Sequence, residues 1–257
     1  LWIPLVVLSV LSFINDIRSI SPGQRLLAQA LAAGISAGWA WWMGLVVWPF
    51  FLLVPAVFFV MATANCYNFM DGINGMAGMT GLVALVGLGI HCTNHTPGLP
   101  GPLVAVLGAV CAFLPFNVPR ARLFMGDVGS IFLGFFIALS ICLCSRSWAE
   151  FVACAALLFP FYADEAVSVL VRLRRRQSLL QPHRLHGYQI LANEAGIAHW
   201  KVSLGYSSIQ AGVAFSAACL SSYGLWPVLI MLIGALSFWA WAQYTIMRRY
   251  GVFSTGG

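Results

Sequence analysis

Charged residues are scarce in this sequence: only 8% of its 257 residues are Asp, Glu, Lys or Arg, whereas 61% are hydrophobic. Soluble globular proteins carry roughly 25% charged residues, because a surface in contact with water is built largely from them. The composition therefore excludes a water-soluble globular protein. Because a chain in lipid must pair its backbone polar groups internally, the composition predicts an all-α protein with several membrane spans.

Two further features are missing, an initiator methionine and any pair of cysteines in CxxC spacing. The first apolar run, residues 1–14, is shorter than the ~20 residues that cross a bilayer. We therefore expect a fragment that begins inside a membrane helix. The seven cysteines fall mostly in apolar runs, and we expect them to behave as small, buried hydrophobic residues.

Nine apolar segments follow one another without a sequence repeat or a soluble domain, so we treat residues 1–257 as one integral-membrane domain. They cover about residues 1–14, 24–43, 45–64, 76–91, 102–118, 129–145, 149–172, 202–223 and 226–247. If they cross the membrane alternately, twelve of the 13 Lys and Arg residues fall on one side and only Arg146 on the other. Short cytoplasmic loops are enriched in Lys and Arg. We therefore predict about nine spans, with the basic side and every polar motif below in the cytoplasm.

A polar, glycine-rich stretch, Asn65–Gly78, lies between two apolar segments. Its Asn65, Asn68 and Asp71 recur every three residues, so in a helix they would share a broad face. Asn74 adds a further carboxamide. Because carboxylates and amides are costly against hydrocarbon, the stretch predicts the mouth of a polar cavity at a membrane surface. The alternative is a polar interhelical loop whose glycines serve packing.

A second polar stretch, Phe116–Ser130, connects two later apolar segments. Asp127 and Ser130 precede an apolar helix, and a helix N-terminus with free N–H groups binds phosphate readily. Gly126 allows a ligand to approach closely. Since a bare carboxylate repels phosphate, we expect a bridging Mg²⁺ ion here. The alternative is a plain helix cap with interfacial arginines nearby.

The longest polar loop covers about residues 172–201 and contains the sequence PHRLHGYQ. His183, Arg184 and His186 supply three hydrogen-bond donors within four residues. No cysteine lies nearby, so the pattern fits anion binding better than a zinc site.

Two polar pairs lie at the end of, or within, apolar segments. Asn15-Asp16 ends the first segment, where an interfacial charge is common. Asp164 and Glu165 lie inside the seventh, and ionisable residues within a span are functional candidates. For Glu165 we favour the alternative that its side chain extends toward Arg172 at the membrane surface.

These stretches resemble the motifs of one family, in order and at comparable spacing. Asn65–Gly78 resembles NxxNxxDGxDGLAG, Phe116–Ser130 resembles FNxPxAxxFMGDxGS, Pro182–Gln189 resembles HRxHxYQ, and Asn15-Asp16 stands where the family has an Asp-Asp pair. The family is the polyprenyl-phosphate N-acetylhexosamine-1-phosphate transferases of glycosyltransferase family 4. The histidine-containing motif is more similar to that of the O-antigen-type initiating enzymes than to that of the muramoyl-pentapeptide branch. The resemblance also implies that roughly two further helices, each of ~20 residues, precede this chain.

The resemblance implies a reaction between a nucleotide sugar and a lipid phosphate at the cytoplasmic face of a bacterial inner membrane. Undecaprenyl phosphate attacks the sugar-bearing phosphate of a UDP-N-acetylamino sugar, and UMP leaves. The step would initiate a cell-envelope glycan such as O-antigen. Mg²⁺, or Mn²⁺ in its place, and cationic side chains would offset the phosphate charges. The expected partners are the two substrates and the bilayer, and no nucleic acid.

Roles for individual residues follow from the same resemblance. Asp127 is expected to be the main metal ligand, Asp71 a second ligand that orients the diphosphate, and Asp16 the residue that handles the lipid phosphate. Substrate binding is expected of the remaining motif residues: Asn15, Asn65, Asn68, Asn74, Asn117, Gly126, Ser130, His183, Arg184 and His186.

Two positions depart from the family pattern, since Asn15 and Asn74 stand where the family has Asp. The implied nucleotide contact of position 74 is less certain with an amide. Two other functions stay open. A transporter would also carry an intramembrane Asp164 and many glycines, although transporters hold their ligands near the midplane. A catalytically degenerate relative would account for Asn15.

Overall fold

The computed structural model describes residues 2–18, 20–92, 99–176 and 186–251, and this part of the chain contains helices and no strand. The fold class predicted from composition is therefore confirmed as all-α. The helices are α1 Trp2–Ile17, α2 Pro22–Trp42, α3 Leu53–Met70, α4 Met76–Cys92, α5 Pro100–Asn117, α6 Gly126–Cys144, α7 Trp148–Ala155, α8 Phe159–Arg174, the single turn α9 Gly187–Gln189, α10 His199–Ser221 and α11 Leu225–Arg249.

Five helical stretches in the described ranges are long and apolar enough to cross a membrane: Phe50–Met70, Pro100–Asn117, Gly126–Cys144, Trp148–Arg174 and Leu225–Arg249. Two further apolar helices, α1 and α4, are shorter. Each of the nine apolar segments of the sequence corresponds to a helix or to two consecutive helices. A protein with several membrane-spanning helices is thus supported, while the count of about nine spans stays a prediction.

Helix α6 lies at the centre of the bundle, with Phe135, Ile137 and Ile141 fully buried. It packs against α3 and α1 on two sides. In lipid, apolar area alone does not drive helices together, so polar contacts between helices add to the packing. Two such contacts join α3 to its neighbours: the hydroxyl groups of Thr63 and Tyr162 lie 2.8 Å apart, and Tyr67 donates to the Ala77 carbonyl at 2.6 Å.

The seventh apolar segment, about residues 149–172, forms two helices with an interruption between them. A 3₁₀ turn, Ala156–Leu158, separates α7 from α8. Pro160 explains the break, because proline has no N–H and its ring clashes with the carbonyl four residues earlier. Gln210 of α10 donates to the Leu157 carbonyl, and also to the Thr80 carbonyl at 2.9 Å. The side chain of Gln210 therefore satisfies the Leu157 carbonyl at the break and connects it to α4.

Cysteine behaviour is predicted only in part. Cys92 and Cys144 form a disulfide between the last residues of α4 and α6, with Cα atoms 5.5 Å apart. Their separation of 52 residues gives no local sequence signal. Of the remaining cysteines, Cys66, Cys142 and Cys154 are buried as expected, and Cys111 and Cys219 are exposed.

Candidate active site

Asp127 lies in the first turn of α6 and accepts polar contacts from three other helices. Asn15, near the end of α1, donates to Oδ2 at 2.9 Å. Asn68, near the end of α3, donates to Oδ1 at 2.8 Å. The Arg25 guanidinium, in the first turn of α2, is 3.2 Å from Oδ2. The structure therefore brings three polar stretches together around the Asp127 carboxylate. They are Asn15-Asp16, Asn65–Gly78 and Phe116–Ser130.

Ser130 fixes the direction of the Asn68 amide. Its hydroxyl accepts a hydrogen bond from Asn68 Nδ2 at 2.9 Å and donates to the Gly126 carbonyl at 2.8 Å. Ser130 is fully buried. Since both hydrogens of the Asn68 amide can be used, one on Ser130 and one on Asp127, this amide is held in a single orientation.

Asp16 reaches the N-terminus of α6 through Gly126. A Cβ atom at position 126 would lie 2.9 Å from Asp16 Oδ2, and Gly126 also has a φ of +64°. Both features exclude most side chains at this position. The carboxylate of Asp16 thus lies next to the residue that precedes Asp127, and Asp16 is exposed.

Asp71 follows the last residue of α3 and is partly buried. Burial, and secondly the negative charge of Asp127, raise the pKa of Asp71 from 3.8 to about 7. An acidic side chain that resists ionisation beside a second carboxylate is the environment that a bound cation would relieve. The Asp127 and Asp71 pair therefore fits a divalent cation that prefers oxygen ligands.

No group of three or more His, Cys, Asp or Glu side chains in the described ranges is arranged to enclose a metal ion. Mg²⁺ does not require such an enclosure, because it usually keeps several waters and binds one or two carboxylates together with substrate phosphates. The donor set is therefore compatible with Mg²⁺ and does not resemble a zinc site.

Asn65 departs from its predicted position. Its amide donates to the buried Gln29 of α2 at 2.5 Å and to the Met61 carbonyl at 2.8 Å. Asn68, by contrast, donates to Asp127. Because successive residues of an α-helix are rotated by about 100°, a spacing of three does not keep side chains on one line. Asn65 and Asn68 therefore contact different groups, and the role of Asn65 in substrate binding stays a prediction.

Both polar atoms of the Asn117 side-chain amide form hydrogen bonds with backbone groups. Its Oδ1 accepts from the Gly75 N–H at 2.6 Å, and its Nδ2 donates to the Leu123 carbonyl at 2.9 Å. Asn117 is buried. This side chain therefore joins two loops of the site, and its role in substrate binding stays a prediction.

Asn74 is held through its backbone and not through its amide group. Its carbonyl accepts from Ser203 at 2.9 Å, and its N–H donates to His199 Nδ1 at 3.4 Å. These contacts connect the loop after Asp71 to α10. The role of the Asn74 side chain in substrate binding stays a prediction.

A cavity of about 300 Å³ opens beside the Asp127 cluster. One part of its wall is aliphatic and belongs to α1, α2 and α6. The other part is polar and contains Asn15 and Arg25. The full lining is Leu8, Leu11, Ser12, Asn15, Ile20, Gln24, Arg25, Ala28, Gln29 and Ile131. Such a wall suits a molecule with an anionic head and an apolar chain.

The histidine-containing loop is described only from His186 onward, and His183 and Arg184 lie outside the described residues. His186 is 3% exposed. Its Nδ1 is 3.2 Å from Asp164 Oδ1, and its Nε2 is 3.7 Å from Glu165 Oε2. Both ring nitrogens therefore face carboxylates, and the role of His186 in binding a substrate phosphate stays a prediction.

Arg25 and Tyr188 are the residues that sequence reasoning missed. Arg25 was counted only as a basic residue of the cytoplasmic side. It follows a capping box in which Ser21 accepts from the Gln24 N–H at 3.3 Å, and this pattern predicts a helix start and so a fixed position for Arg25. Tyr188 donates to the Phe69 carbonyl at 2.9 Å, a contact between positions 119 residues apart that no local pattern indicates.

Proteins with similar sequences support the family resemblance that the motifs indicate. Among them are proteins named phospho-N-acetylmuramoyl-pentapeptide-transferase from three strains of Synechococcus. The protein of strain WH7803 is 31% identical over 170 residues, or 60% of this chain and 45% of the relative. That of strain RCC307 is 33% identical over 193 residues, or 64% and 51%. That of strain JA-2-3B'a(2-13) is 29% identical over 246 residues, or 90% and 65%. The chain thus spans about half to two thirds of the length of these relatives.

The family-level comparison covers the polar cluster itself. The model described as glycosyl transferase family 4 matches residues 1–145, which include Asn15, Asp71 and Asp127. This match confirms the resemblance stated from the motifs. It covers more than half of the 257 residues, and the chain belongs to glycosyl transferase family 4.

Proposed function

We propose that the protein transfers an N-acetylamino-sugar 1-phosphate from a UDP-sugar to undecaprenyl phosphate. A phosphate oxygen of the lipid forms a new bond to the sugar-bearing phosphorus. The bond from that phosphorus to the oxygen of UMP breaks, and UMP leaves with the electron pair. The observation that carries the proposal is the Asp127 cluster, in which donors from α1, α2 and α3 converge beside an amphipathic cavity.

The two acidic residues of the cluster provide the metal site in this proposal. We assign Asp127 and Asp71 as ligands of Mg²⁺, or of Mn²⁺, which when bound offsets the negative charge of the reacting phosphates. The elevated pKa of Asp71, caused by burial and by Asp127, supports the assignment. Asn68 and Ser130 hold Asp127 in place through the hydrogen bonds described above.

Asp16, Asn15 and Arg25 are assigned to the acceptor phosphate. Asn15 and Arg25 line the cavity whose aliphatic wall would receive the first part of a prenyl chain. A phosphate monoester has a second pKa near ~6 and is largely dianionic at neutral pH, so it needs positioning more than a base. Arg25 supplies a positive charge, and Asn15 can donate a hydrogen bond to a phosphate oxygen, which a carboxylate cannot do.

We propose that the site faces the cytoplasm of a bacterial inner membrane. Twelve of the 13 Lys and Arg residues fall on that side in the alternating arrangement. The Cys92–Cys144 disulfide gives independent support. Cys144 ends the helix that Asp127 begins, so the two ends of α6 lie about 26 Å apart. Because disulfides persist in oxidising compartments, that far end is expected to face the periplasm.

The identity of the donor sugar is a separate part of the proposal. The similar proteins named above act, by name, on a muramoyl-pentapeptide donor, whereas the motif PHRLHGYQ resembles that of the O-antigen-type initiating enzymes, which implies a simpler N-acetylamino sugar. We propose the simpler sugar, with His183 and Arg184 on its nucleotide phosphates. A glycan of the O-antigen type would then begin with this step.

UMP release tests the proposal directly. The complete protein, in membranes supplied with undecaprenyl phosphate and Mg²⁺, is given UDP-N-acetylglucosamine, UDP-N-acetylgalactosamine or UDP-N-acetylmuramoyl-pentapeptide in separate reactions. We expect UMP and a lipid-linked sugar with one of the first two. Turnover only with the pentapeptide donor would overturn the proposed sugar. No turnover with any donor would favour a degenerate relative or a transporter.

A further inference from the structure

Asp164 is the most completely enclosed acidic side chain among the described residues, with 0% of its surface exposed. Its Oδ2 accepts from the Tyr206 hydroxyl at 2.6 Å. Its Oδ1 accepts from the Gly187 N–H at 3.0 Å and from Gln243 Nε2 at 3.1 Å, and lies 3.2 Å from His186 Nδ1. This one carboxylate therefore joins α8, α10, α11 and the start of α9.

The contact with Gly187 leaves little room for a side chain at this position. A Cβ atom at position 187 would lie 3.0 Å from the Tyr206 hydroxyl and 3.3 Å from Asp164 Oδ2. The backbone N–H of Gly187 approaches the carboxylate closely because glycine has no Cβ. The segment is thus bound to Asp164 through its main chain.

Tyr188 carries this attachment to the end of α3. It is fully buried, and its ring stacks on that of His186 at a centroid distance of 5.6 Å. Its hydroxyl donates to the Phe69 carbonyl at 2.9 Å and lies against Gly72. Phe69 and Gly72 flank Asp71, which the proposed function places at the metal.

We infer that Asp164 is a positioning residue that holds the segment His186–Tyr188 against the end of α3, and thereby sets the place of Asp71, which the proposed function assigns to the metal and the diphosphate. The inference rests on the proposed function for its effect on the donor substrate. It goes beyond that function because it assigns a purpose to an acidic group that touches neither Asp127 nor the cavity. Asp164 acts through the segment it holds and not on the reacting atoms.

A carboxylate suits this task better than a neutral residue of similar size. Its two oxygens accept from donors on three elements at once, and each donor would be left buried without a partner if the side chain were apolar. Asn keeps one acceptor oxygen for Gly187. Its amide can donate to the Tyr206 hydroxyl, which can accept as well as donate. The pair Asp164→Asn and Asp164→Leu therefore separates the loss of charge from the loss of hydrogen bonds.

Amide hydrogen exchange tests the positioning without any need for activity. In Asp164→Leu we expect at least tenfold faster exchange in peptides covering residues 186–190 and 69–75, and a change below threefold in Asp164→Asn. If Asp164→Leu does not fold, Tyr206→Phe takes its place. This variant removes a single donor, so it should accelerate amide exchange in both peptides by an intermediate factor. The matched control is Tyr162→Phe on the same helix, which removes a buried contact with Thr63 and should leave both peptides unchanged.

Kinetics provide the second readout, in membranes with both substrates varied. Asp164→Leu should raise the KM for the UDP-sugar about tenfold, and Tyr206→Phe should raise it by a smaller factor. In both variants the KM for the lipid phosphate should stay within threefold of the parent. Asp164→Asn should keep most of the affinity for the UDP-sugar. Unchanged exchange in both peptides, or an equal rise in both KM values, would overturn the inference. If the parent releases no UMP, the proposed function fails, while the exchange result still decides whether Asp164 holds the segment.

Discussion

Asp127 and Asp164 are both acidic residues that accept several hydrogen bonds, yet their surroundings differ in access and in charge. The Asp127 side chain is 24% exposed, pairs with the cation Arg25 and lies beside a cavity. Asp164 is 0% exposed and is surrounded by a tyrosine, a glutamine, a histidine and a backbone N–H. The first can exchange a partner for a substrate or a cation. The second has every oxygen committed within the fold.

The comparison teaches that the number of hydrogen bonds does not identify a reactive carboxylate. A buried charge is tolerated only when its hydrogen bonds are satisfied, so a fully satisfied acid is the stable state of an enclosed site. A reactive acid must instead keep solvent access and a partner that can be displaced. The following predictions test this difference, starting with the largest effect.

Asp127→Asn is expected to reduce turnover by at least about a hundredfold, because loss of a ligand charge weakens stabilisation of the reacting phosphates. UMP release at saturating Mg²⁺ measures the effect. The melting temperature should fall only modestly, since the single amide oxygen of Asn can still accept from Asn68, while its NH2 group would face Asn15 and the partly exposed Arg25, whose donors can turn to water. Near-normal turnover would show that Asp127 is no more reactive than Asp164.

Arg25→Gln is expected to raise the KM for the lipid phosphate about tenfold, or ~1.4 kcal/mol, because the partly exposed guanidinium is the cation at the cavity mouth. Arg25→Lys keeps the charge and serves as the matched control, with most of the affinity retained. Both variants are assayed at several salt concentrations. An unchanged KM for the lipid would mean that Arg25 serves only to pair with Asp127.

Asp71 should make stability depend on pH when no divalent cation is present. Its folded-state pKa of about 7 lies above its ordinary value of 3.8, so the native state binds more protons between these two values. The free energy of unfolding therefore falls as pH rises from about 4 to about 7 and levels off above that range. Melting temperatures in EDTA, between pH 5 and pH 8, measure this slope.

Asp71→Asn is the control for that measurement, since it removes the titrating group, and added Mg²⁺ should flatten the slope in the parent. A parent slope that persists unchanged in Asp71→Asn would contradict the assignment. The same measurement tests the difference between Asp127 and Asp164. Added Mg²⁺ can change the titration of Asp71 only if the Asp127 cluster is accessible to a cation.

Asn15→Asp is expected to have the smallest effect, within about tenfold of the parent turnover, under ~1.4 kcal/mol. Asn15 Nδ2 donates to Asp127, and its Oδ1 accepts from the Ile20 N–H at 3.1 Å. The carboxylate introduced by Asn15→Asp could not donate to Asp127 and would repel it. We therefore also expect turnover to depend more steeply on the Mg²⁺ concentration. If the parent is inactive and Asn15→Asp restores turnover, the chain is a disabled relative.

Much of the site could be predicted from local sequence. Asp127, Asn68, Ser130 and Asn15 are brought together as their motifs indicate. The contacts of Asn65, Asn117 and His186 could not be predicted, because each depends on the direction in which a side chain points and on the residues that other parts of the chain place opposite it. The rotation of about 100° per residue turns Asn65 and Asn68 in different directions. Their spacing in the sequence does not show which residues of other helices lie opposite them.

The sequence by itself determined that the chain forms apolar helices and that its polar groups gather at one end of them, because lipid requires internally paired backbones and excludes charge. Only the tertiary structure decided which carboxylate stays open and which is enclosed. Arg25 reaches Asp127 across 102 positions, and Tyr206 reaches Asp164 across 42. Such contacts arise from helix packing, where residues distant in sequence supply the partners that set the chemistry of each acid.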